Sequence, residues 1–272
     1  MTVRVAAIWL IVISTSSIHA QSVEEDIDAF QTFFAQRFAD TPLNAFSYGL
    51  SEPKLYAQEA FPQYSAEMER ARSDWNTPFA NGKSFADCFR TKPPANEYPY
   101  YDPQGDTVRT VEEDINACLQ ANGEGANPAS DSERIVRLVA AYMERFSGQP
   151  IAVQVDQPRA VAWYKRGRQF FWAKRGQLNF SCADCHVQNA GRKFRSETLR
   201  AALGHTVGFP EYHIGRASSD NPWYTAHKRY AECNKKIRAK PYALQSDEYK
   251  ALEFYQATMN TGIPLSAPSV HK

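Results

Sequence analysis

Beyond its first twenty residues the sequence has no hydrophobic run of the roughly 20 apolar residues that a membrane helix takes. It also has no surplus of charge of either sign. Lysine and arginine total 31 against 30 acids in 272 residues, a formal charge of +1, so the basic footprint of nucleic-acid binding is missing. Strand signals are sparse, which points away from an all-β fold. Methionine is scarce too: of four in all, only Met68, Met143 and Met259 lie beyond the N-terminal segment. What is present, 43% hydrophobic and 13% aromatic with 22% charged residues, suits one large core or two small ones. It excludes a disordered chain, a mini-protein and a coiled coil. The five cysteines, Cys88, Cys118, Cys182, Cys185 and Cys233, are an odd number, which in an exported protein leaves one to be explained.

Export is expected from residues 1–20. They open Met-Thr-Val-Arg, run apolar from Val5 to Ile13 and end Ser/Thr-rich at Ala20, the order of a secretory signal. Cleavage is expected after Ala20, placing the mature chain in the periplasm, where disulfides survive and cofactors are attached covalently. An uncleaved anchor is the competing reading, and the apolar run is short for it. Loss of the leader removes one base, Arg4, and no acid, leaving 30 of each and no net charge.

The chain repeats itself. Ser132–Ile151 (SERIVRLVAAYMERFSGQPI) and Ser246–Leu265 (SDEYKALEFYQATMNTGIPL) align without a gap, 114 residues apart. Each reads as a Ser-capped amphipathic helix with an acid just inside its start, closed by Gly-x-Pro. A cysteine precedes each helix, Cys118 and Cys233, offset by 115. The spacing therefore predicts a mainly α protein of two tandem domains related by duplication, 21–151 and 152–272. Val23, Ile27, Phe30, Phe33, Phe34 and Phe38 recur at helical spacing, as do Ala162, Gly167, Phe170 and Phe171. Turn-rich loops such as Lys92-Pro93-Pro94 and Asn122-Gly123-Glu124-Gly125 separate the helices.

Chemistry concentrates at Cys182-Ala183-Asp184-Cys185-His186, the C-x-x-C-H attachment sequence of c-type haem. Thiols three residues apart reach two vinyl groups on one porphyrin edge, and the next histidine falls under the iron. A thioredoxin-like pair has no need of His186, and zinc would want a second matched pair.

The other axial position stays open on spacing alone. Methionine is the usual choice of small carriers. Met68 and Met143 lie in the half without the motif, and Met259 lies on the repeated helix of the haem half. His205 and His213 follow the motif and are chemically able. Cys88 and Cys118 lie about 30 residues apart in the other half, a loop whose closure would contribute about 3.6 kcal/mol if they paired. Cys233 is then left over, and a lone exported thiol is bound, modified or reactive. Arg229 precedes it by four residues, on the same face of a helix. Nearby cations lower a thiol pKa, and a guanidinium offers planar donors to a sulfur oxyanion. A solvated surface charge is the alternative for Arg229.

These residues carry a family resemblance. Phe170-Phe171, the stretch Cys185-His186-Val187-Gln188-Asn189-Ala190-Gly191, the turn Leu203-Gly204-His205-Thr206 and Arg229-Tyr230-Ala231-Glu232-Cys233-Asn234 resemble SoxA, the c-type cytochrome subunit of the thiosulfate-oxidising SoxAX complex. Asn81-Gly82-Lys83, Asp87-Cys88-Phe89, Tyr98-Pro99-Tyr100-Tyr101-Asp102 and Asn116-Ala117-Cys118 look like the same family. The resemblance implies two cytochrome c-like domains and an L-cysteine S-thiosulfotransferase. Cys182 and Cys185 would form thioethers to haem and His186 would be the proximal ligand. Cys233 would be the distal ligand and catalytic residue, able to carry a persulfide sulfur, and Arg229 would bind thiosulfate. It further implies a SoxX-like cytochrome partner, a SoxYZ-like carrier whose cysteine receives the sulfur group, and a cytochrome c electron acceptor. Two-haem members have a second attachment sequence, whereas here Cys88 is followed by Phe-Arg-Thr-Lys. One haem c is therefore expected, with a Cys88–Cys118 disulfide in place of the other.

Two other readings compete: a plain electron-transfer cytochrome with a Met or His distal ligand, and a scaffold subunit whose haem is structural. The basic residues Arg192, Lys193, Arg195 and Arg200 suit haem propionates, an acidic partner or bare solvation equally. His227 and Trp223 receive no role.

Overall fold

Hydroxyl caps start most of the long helices. The computed structural model describes residues 22–41, 62–125, 132–194, 197–217 and 221–271. Residues 1–20, where a leader is expected, lie outside them. Ser22 caps α1 (Val23–Arg37) and closes a reciprocal box with Glu25. Helices α2 (Pro62–Asn76) and the single turn α3 (Phe85–Cys88) follow. Thr110, boxed with Glu113, caps α4 (Val111–Ala121), and Ser132 caps α5 (Glu133–Glu144). In the second half, α6 (Pro158–Trp172) begins on a proline, whose missing N–H is no loss at that position. Thr225 caps α7 (Ala226–Lys236) and Ser246 caps α8 (Asp247–Met259).

Strands are two or three residues long. β1 (Tyr100–Asp102) and β2 (Thr107–Arg109) form one hairpin, β3 (Lys193–Phe194) and β4 (Glu197–Thr198) another. β5 (Glu211–His213) lies between β6 (Trp223–Tyr224), antiparallel to it, and β7 (Ser269–His271), parallel to it.

Each half has its own helix crossing. In the first, Ile135, Val136, Leu138, Val139 and Tyr142 of α5 are buried, as are Met68, Ala71 and Trp75 of α2. In the second, α6 lies on α8, nearly all of whose apolar side chains are buried, and Leu252, Phe254 and Met259 each contribute about 1.5–3 kcal/mol by leaving water. The crossing is close because of Gly167, where an added Cβ would stand 1.9 Å from the Ala251 carbonyl oxygen.

The repeated segments meet. Gly148 N–H donates to Leu265 O (2.8 Å) and Gly262 N–H to Ile151 O (2.9 Å), while Ile151 N–H donates to Ile263 O (2.9 Å) and Leu265 N–H to Gln149 O (2.8 Å). Gly148 and Gly262 hold φ of 86° and 83°, the left-handed region that glycine enters without strain. The contacts are reciprocal: shifted by the 114-residue offset of the alignment, each bond becomes its counterpart, Gly148 to Leu265 with Gly262 to Ile151, and Ile151 to Ile263 with Leu265 to Gln149.

One element crosses between halves. Helix α1 is N-terminal in sequence, yet Asp26 pairs with Tyr164 and Arg168 of α6, and Gln31 donates to the Met259 and Thr261 carbonyls. Of its aromatic stripe, Phe30 and Phe34 are buried, whereas Phe33 is 40% exposed.

Candidate active site

The attachment sequence begins with a small capping motif. Ser181 donates from N–H and Oγ to Asp184 Oδ2 (2.8 and 2.9 Å), and Asp184 N–H donates back to Ser181 Oγ (3.0 Å). The chain then widens into a π turn over Asp184–Gln188, which Asn189 N–H closes on the Asp184 carbonyl. Cys185 lies on this turn and Cys182 just before it, both half-buried. Burial pushes their pKa values up, that of Cys182 to about 12.

His186 Nδ1 donates to the Arg200 carbonyl (2.9 Å), which leaves Nε2 as its ligating nitrogen. Burial lowers its pKa and keeps the ring neutral. Two further contacts hold the turn. Ala202 N–H donates to His186 O (2.7 Å). Arg37 of α1 donates to the carbonyls of Val187 (2.9 Å), Gln188 (2.9 Å) and Ala190 (3.0 Å).

Cys233 lies on α7, one turn beyond Arg229. The Cys182, Cys185 and Cys233 sulfurs lie within electrostatic reach of one another. Burial raises the Cys233 pKa, and Arg229 and Lys236 only partly offset it. The nearby cations favour the thiolate as expected, but desolvation outweighs them and the net shift is upward. A metal bound to the sulfur would deprotonate it directly.

Arg229 is not a solvated charge. Its side chain is 13% exposed. Nη2 donates to His213 Nε2 (2.9 Å) and lies 3.6 Å from Glu211 Oε2, Nη1 donates to Glu232 Oε2 (3.4 Å), and the guanidinium sits 5.1 Å from the Tyr224 ring centre.

The alternative axial ligands fare differently. His213 Nε2 is engaged by Arg229. The His205 ring lies 4.6 Å from that of His186. Met68 and Met259 are buried in the core and Met143 is partly buried on α5. Among the described residues no group of three or more His, Cys, Asp or Glu forms a site for a bare metal ion, so zinc has no ligand set here. Two thiols, one oriented imidazole and a third sulfur make a donor set that fits haem c.

His227 accepts from Gln245 N–H at Nδ1 (3.0 Å), and its Nε2 is 2.9 Å from Glu253 Oε2. Trp223 is fully buried against Tyr212. The basic residues divide: Arg192 and Lys193 are exposed, Arg195 lies outside the described residues, and Arg200 turns inward to pair with Glu211.

The first half carries a counterpart of the attachment turn. Ser84-Phe85-Ala86-Asp87-Cys88 matches Ser181-Cys182-Ala183-Asp184-Cys185, 97 residues apart. The Ser84–Asp87 hydrogen bonds repeat those of Ser181–Asp184. Phe85 stands where Cys182 does, and Phe89 where His186 does. Cys88 and Cys118 are bonded, S–S 1.98 Å and Cα–Cα 5.8 Å. Around them Trp75, Phe79, Phe85, Phe89 and Tyr142 pack ring to ring at 4.6–5.2 Å. A cavity of about 240 Å³ lined by Trp75, Phe89 and Tyr142 is what this packing leaves open.

Residues that spacing did not mark complete the site. Glu211, on the buried strand β5 beside Tyr212 and His213, is one of them. Arg37 left no trace, being 150 residues from the carbonyl it holds.

A family model for the SoxA/TsdA cytochrome c domain matches residues 70–151. The chain is 40% identical over 258 residues to the L-cysteine S-thiosulfotransferase subunit SoxA of Chlorobaculum tepidum, covering 92% of this chain and 88% of that one. It is 38% identical over 263 residues to the SoxA subunit of Allochromatium vinosum, covering 93% and 92%. Among solved structures it is similar to SoxXA from P. pantotrophus, with a TM-score of 0.67, 26% identity and coverage of 78% and 79%.

Proposed function

The chain belongs to the SoxA family of L-cysteine S-thiosulfotransferase subunits, and from that premise we propose that Cys233 is its reacting sulfur and Arg229 its thiosulfate site. It is the catalytic subunit of a thiosulfate-oxidising complex rather than a plain electron carrier. The observation that supports the residue assignment is one helix, α7, carrying Arg229 and Cys233 a turn apart, with Cys233 within electrostatic reach of the thiols of the attachment sequence.

Cys182 and Cys185 would hold haem c by thioethers, with His186 Nε2 and the Cys233 sulfur on the iron. Bound there, the group supplies a one-electron acceptor that takes up the two electrons of the oxidation in turn. A thiolate ligand lowers its potential, which suits catalysis better than high-potential carriage.

Thiosulfate, a dianion, docks on the N–H groups of Arg229. Its terminal sulfur joins the Cys233 thiolate in a new S–S bond, with release of two electrons, leaving the sulfonate at the outer end. A cysteine thiolate of the carrier then attacks that terminal sulfur. The bond to Cys233 breaks, the carrier leaves with the thiosulfonate group, and the Cys233 thiolate is restored. The proton released in the cycle is that of the carrier thiol.

One haem rather than two is supported by Phe85 and Phe89 in the places of an attaching cysteine and a ligating histidine, and by the engagement of Cys88 with Cys118. Tandem duplication, dividing the chain into 21–151 and 152–272, is supported by the reciprocal contacts of the two Gly-x-Pro segments. Helix α1 serves the second half. A SoxX-like subunit, a SoxYZ-like carrier and a cytochrome c acceptor complete the reaction in the periplasm, and no described helix is long and apolar enough to cross a membrane.

The test is Cys233→Ala in the complete complex, with carrier and thiosulfate. Turnover should be lost and the paramagnetic resonance pattern of a thiolate-ligated haem should disappear. Normal turnover with an unchanged spectrum would sink the assignment.

A further inference from the structure

We propose that Glu211 is the positioning residue for Arg229: its buried carboxylate holds the guanidinium in place beside Cys233 while an anion binds. The inference rests on reading Arg229 as the thiosulfate site.

Glu211 sits on the central strand β5, fixed by pairing with Tyr224 on one side and Ser269 on the other. Its side chain is 1% exposed, between Arg200 at 12% and Arg229 at 13%. A carboxylate at that depth is strongly unfavourable unless opposite charge meets it, so its place depends on the two arginines, with His213 Nε2 3.9 Å from its Oε2. Arg200 is the rigid member of the set. Its Nη1 pairs with Glu211 Oε1, and its backbone is tied to the attachment turn through the His186 Nδ1 contact and the neighbouring Ala202 to His186 bond. Arg229 is the member on α7 that acts electrostatically on Cys233.

The partners of Arg229 divide the work. Glu211 Oε2, at 3.6 Å, supplies charge. His213 Nε2, at 2.9 Å, supplies direction, since that nitrogen accepts only when it carries no proton. Glu232, at 3.4 Å, has a side chain 28% exposed that is also held by the Tyr224 hydroxyl (2.7 Å). An incoming dianion can displace Glu232 toward solvent. It cannot displace Glu211, which stays to keep the arginine from following the substrate.

A carboxylate that only completes the β5 core with Arg200 would have no thermodynamic link to Arg229. The experiment is therefore a double-mutant cycle in the haem-loaded chain with its partner subunit, pairing Glu211→Gln with Arg229→Ala. Steady-state kcat and KM for thiosulfate are read beside its Kd by calorimetry, in the absence of carrier. Glu211→Gln should lower kcat/KM about tenfold, mainly through KM, and weaken Kd alike. With Arg229→Ala already present it should change either by less than twofold. Equal losses in the two backgrounds would overturn the role of Glu211. If Arg229→Ala alone leaves KM and Kd unchanged, the substrate site itself is elsewhere, a distinct failure. Should Glu211→Gln yield no haem-loaded protein, Glu211→Asp, which keeps charge for Arg200 but shortens the reach to Arg229, takes its place with the same criteria.

Discussion

Arg37 donates to the carbonyl of Val187, the residue after the attachment histidine, across 150 positions of sequence. The same guanidinium reaches Gln188 O and Ala190 O, so one side chain closes the end of a turn whose carbonyls have run out of helical partners. The first helix is thereby a clamp on the second half.

Replacing Arg37 by alanine should therefore destabilise the haem-loaded protein. Hydrogen bonds to a charged group are worth about 1.5–3 kcal/mol when well buried, and this arginine is largely exposed, so a loss of about 1–2 kcal/mol is expected. Denaturant unfolding followed at the haem band measures it. Arg37→Lys should recover little, because one ammonium cannot reach three carbonyls as a planar fork does.

Gly167→Ala should be among the most harmful single changes in the chain. A methyl group there meets the Ala251 carbonyl at 1.9 Å, so α6 must move off α8. Overpacking of this kind costs about 1–3 kcal/mol, and the contact with backbone rather than a flexible side chain places it at the upper end. A thermal midpoint within a degree of the parent would show that the crossing is looser than described here.

Cys88→Ser with Cys118→Ser should lower stability by about 3.6 kcal/mol in the chain-entropy model while leaving thiosulfate turnover per folded molecule within twofold. The bond closes the first half, whereas Cys233 lies in the second. Intact mass should report one haem and one disulfide, and two haems would refute the single-haem proposal.

Two buried carboxylates give stability opposite slopes with pH. Burial alone would raise the pKa of Asp114, but hydrogen bonds from Tyr98, Lys92 and Arg109 outweigh it and hold the carboxyl below its ordinary range. Its contribution is present above the unfolded value of about 4 and is lost as pH falls through the depressed folded value. Glu112 is the reverse. Burial, then Glu253, push it up to about 7 from 4.5, against the pull of His227. The stability tied to its neutral form is present below pH 4.5 and is lost as pH rises to about 7. Glu112→Gln should flatten the slope of unfolding free energy between those limits, and Asp114→Asn should flatten it below pH 4.

Spacing along the chain was enough for whatever is local. Thiols three residues apart with histidine next in line mark a haem turn wherever they fall, and a serine cap with Gly-x-Pro closure marks a helix and its end. Comparing the two halves was enough to pair Ser132–Ile151 with Ser246–Leu265, and closer comparison would have paired Ser84–Cys88 with Ser181–Cys185. Nothing local separated the candidates for the distal position. In the folded chain His213 Nε2 is engaged by Arg229 and the His205 ring lies 4.6 Å from that of His186, relations that spacing along the chain does not reveal.

The same division explains the errors. Arg229 and Cys233 share a helix face by periodicity, but the sign of the thiol's pKa shift depends on burial, which neighbours in sequence do not reveal. Glu211, Arg200 and Arg37 act across separations of 11 to 150 residues. A hydrogen bond or an ion pair depends on distance in space, and the chain's own order encodes that distance only within a turn or two of helix. The C-x-x-C-H motif is thus written in the sequence, whereas the charges around it come together only when the helices pack.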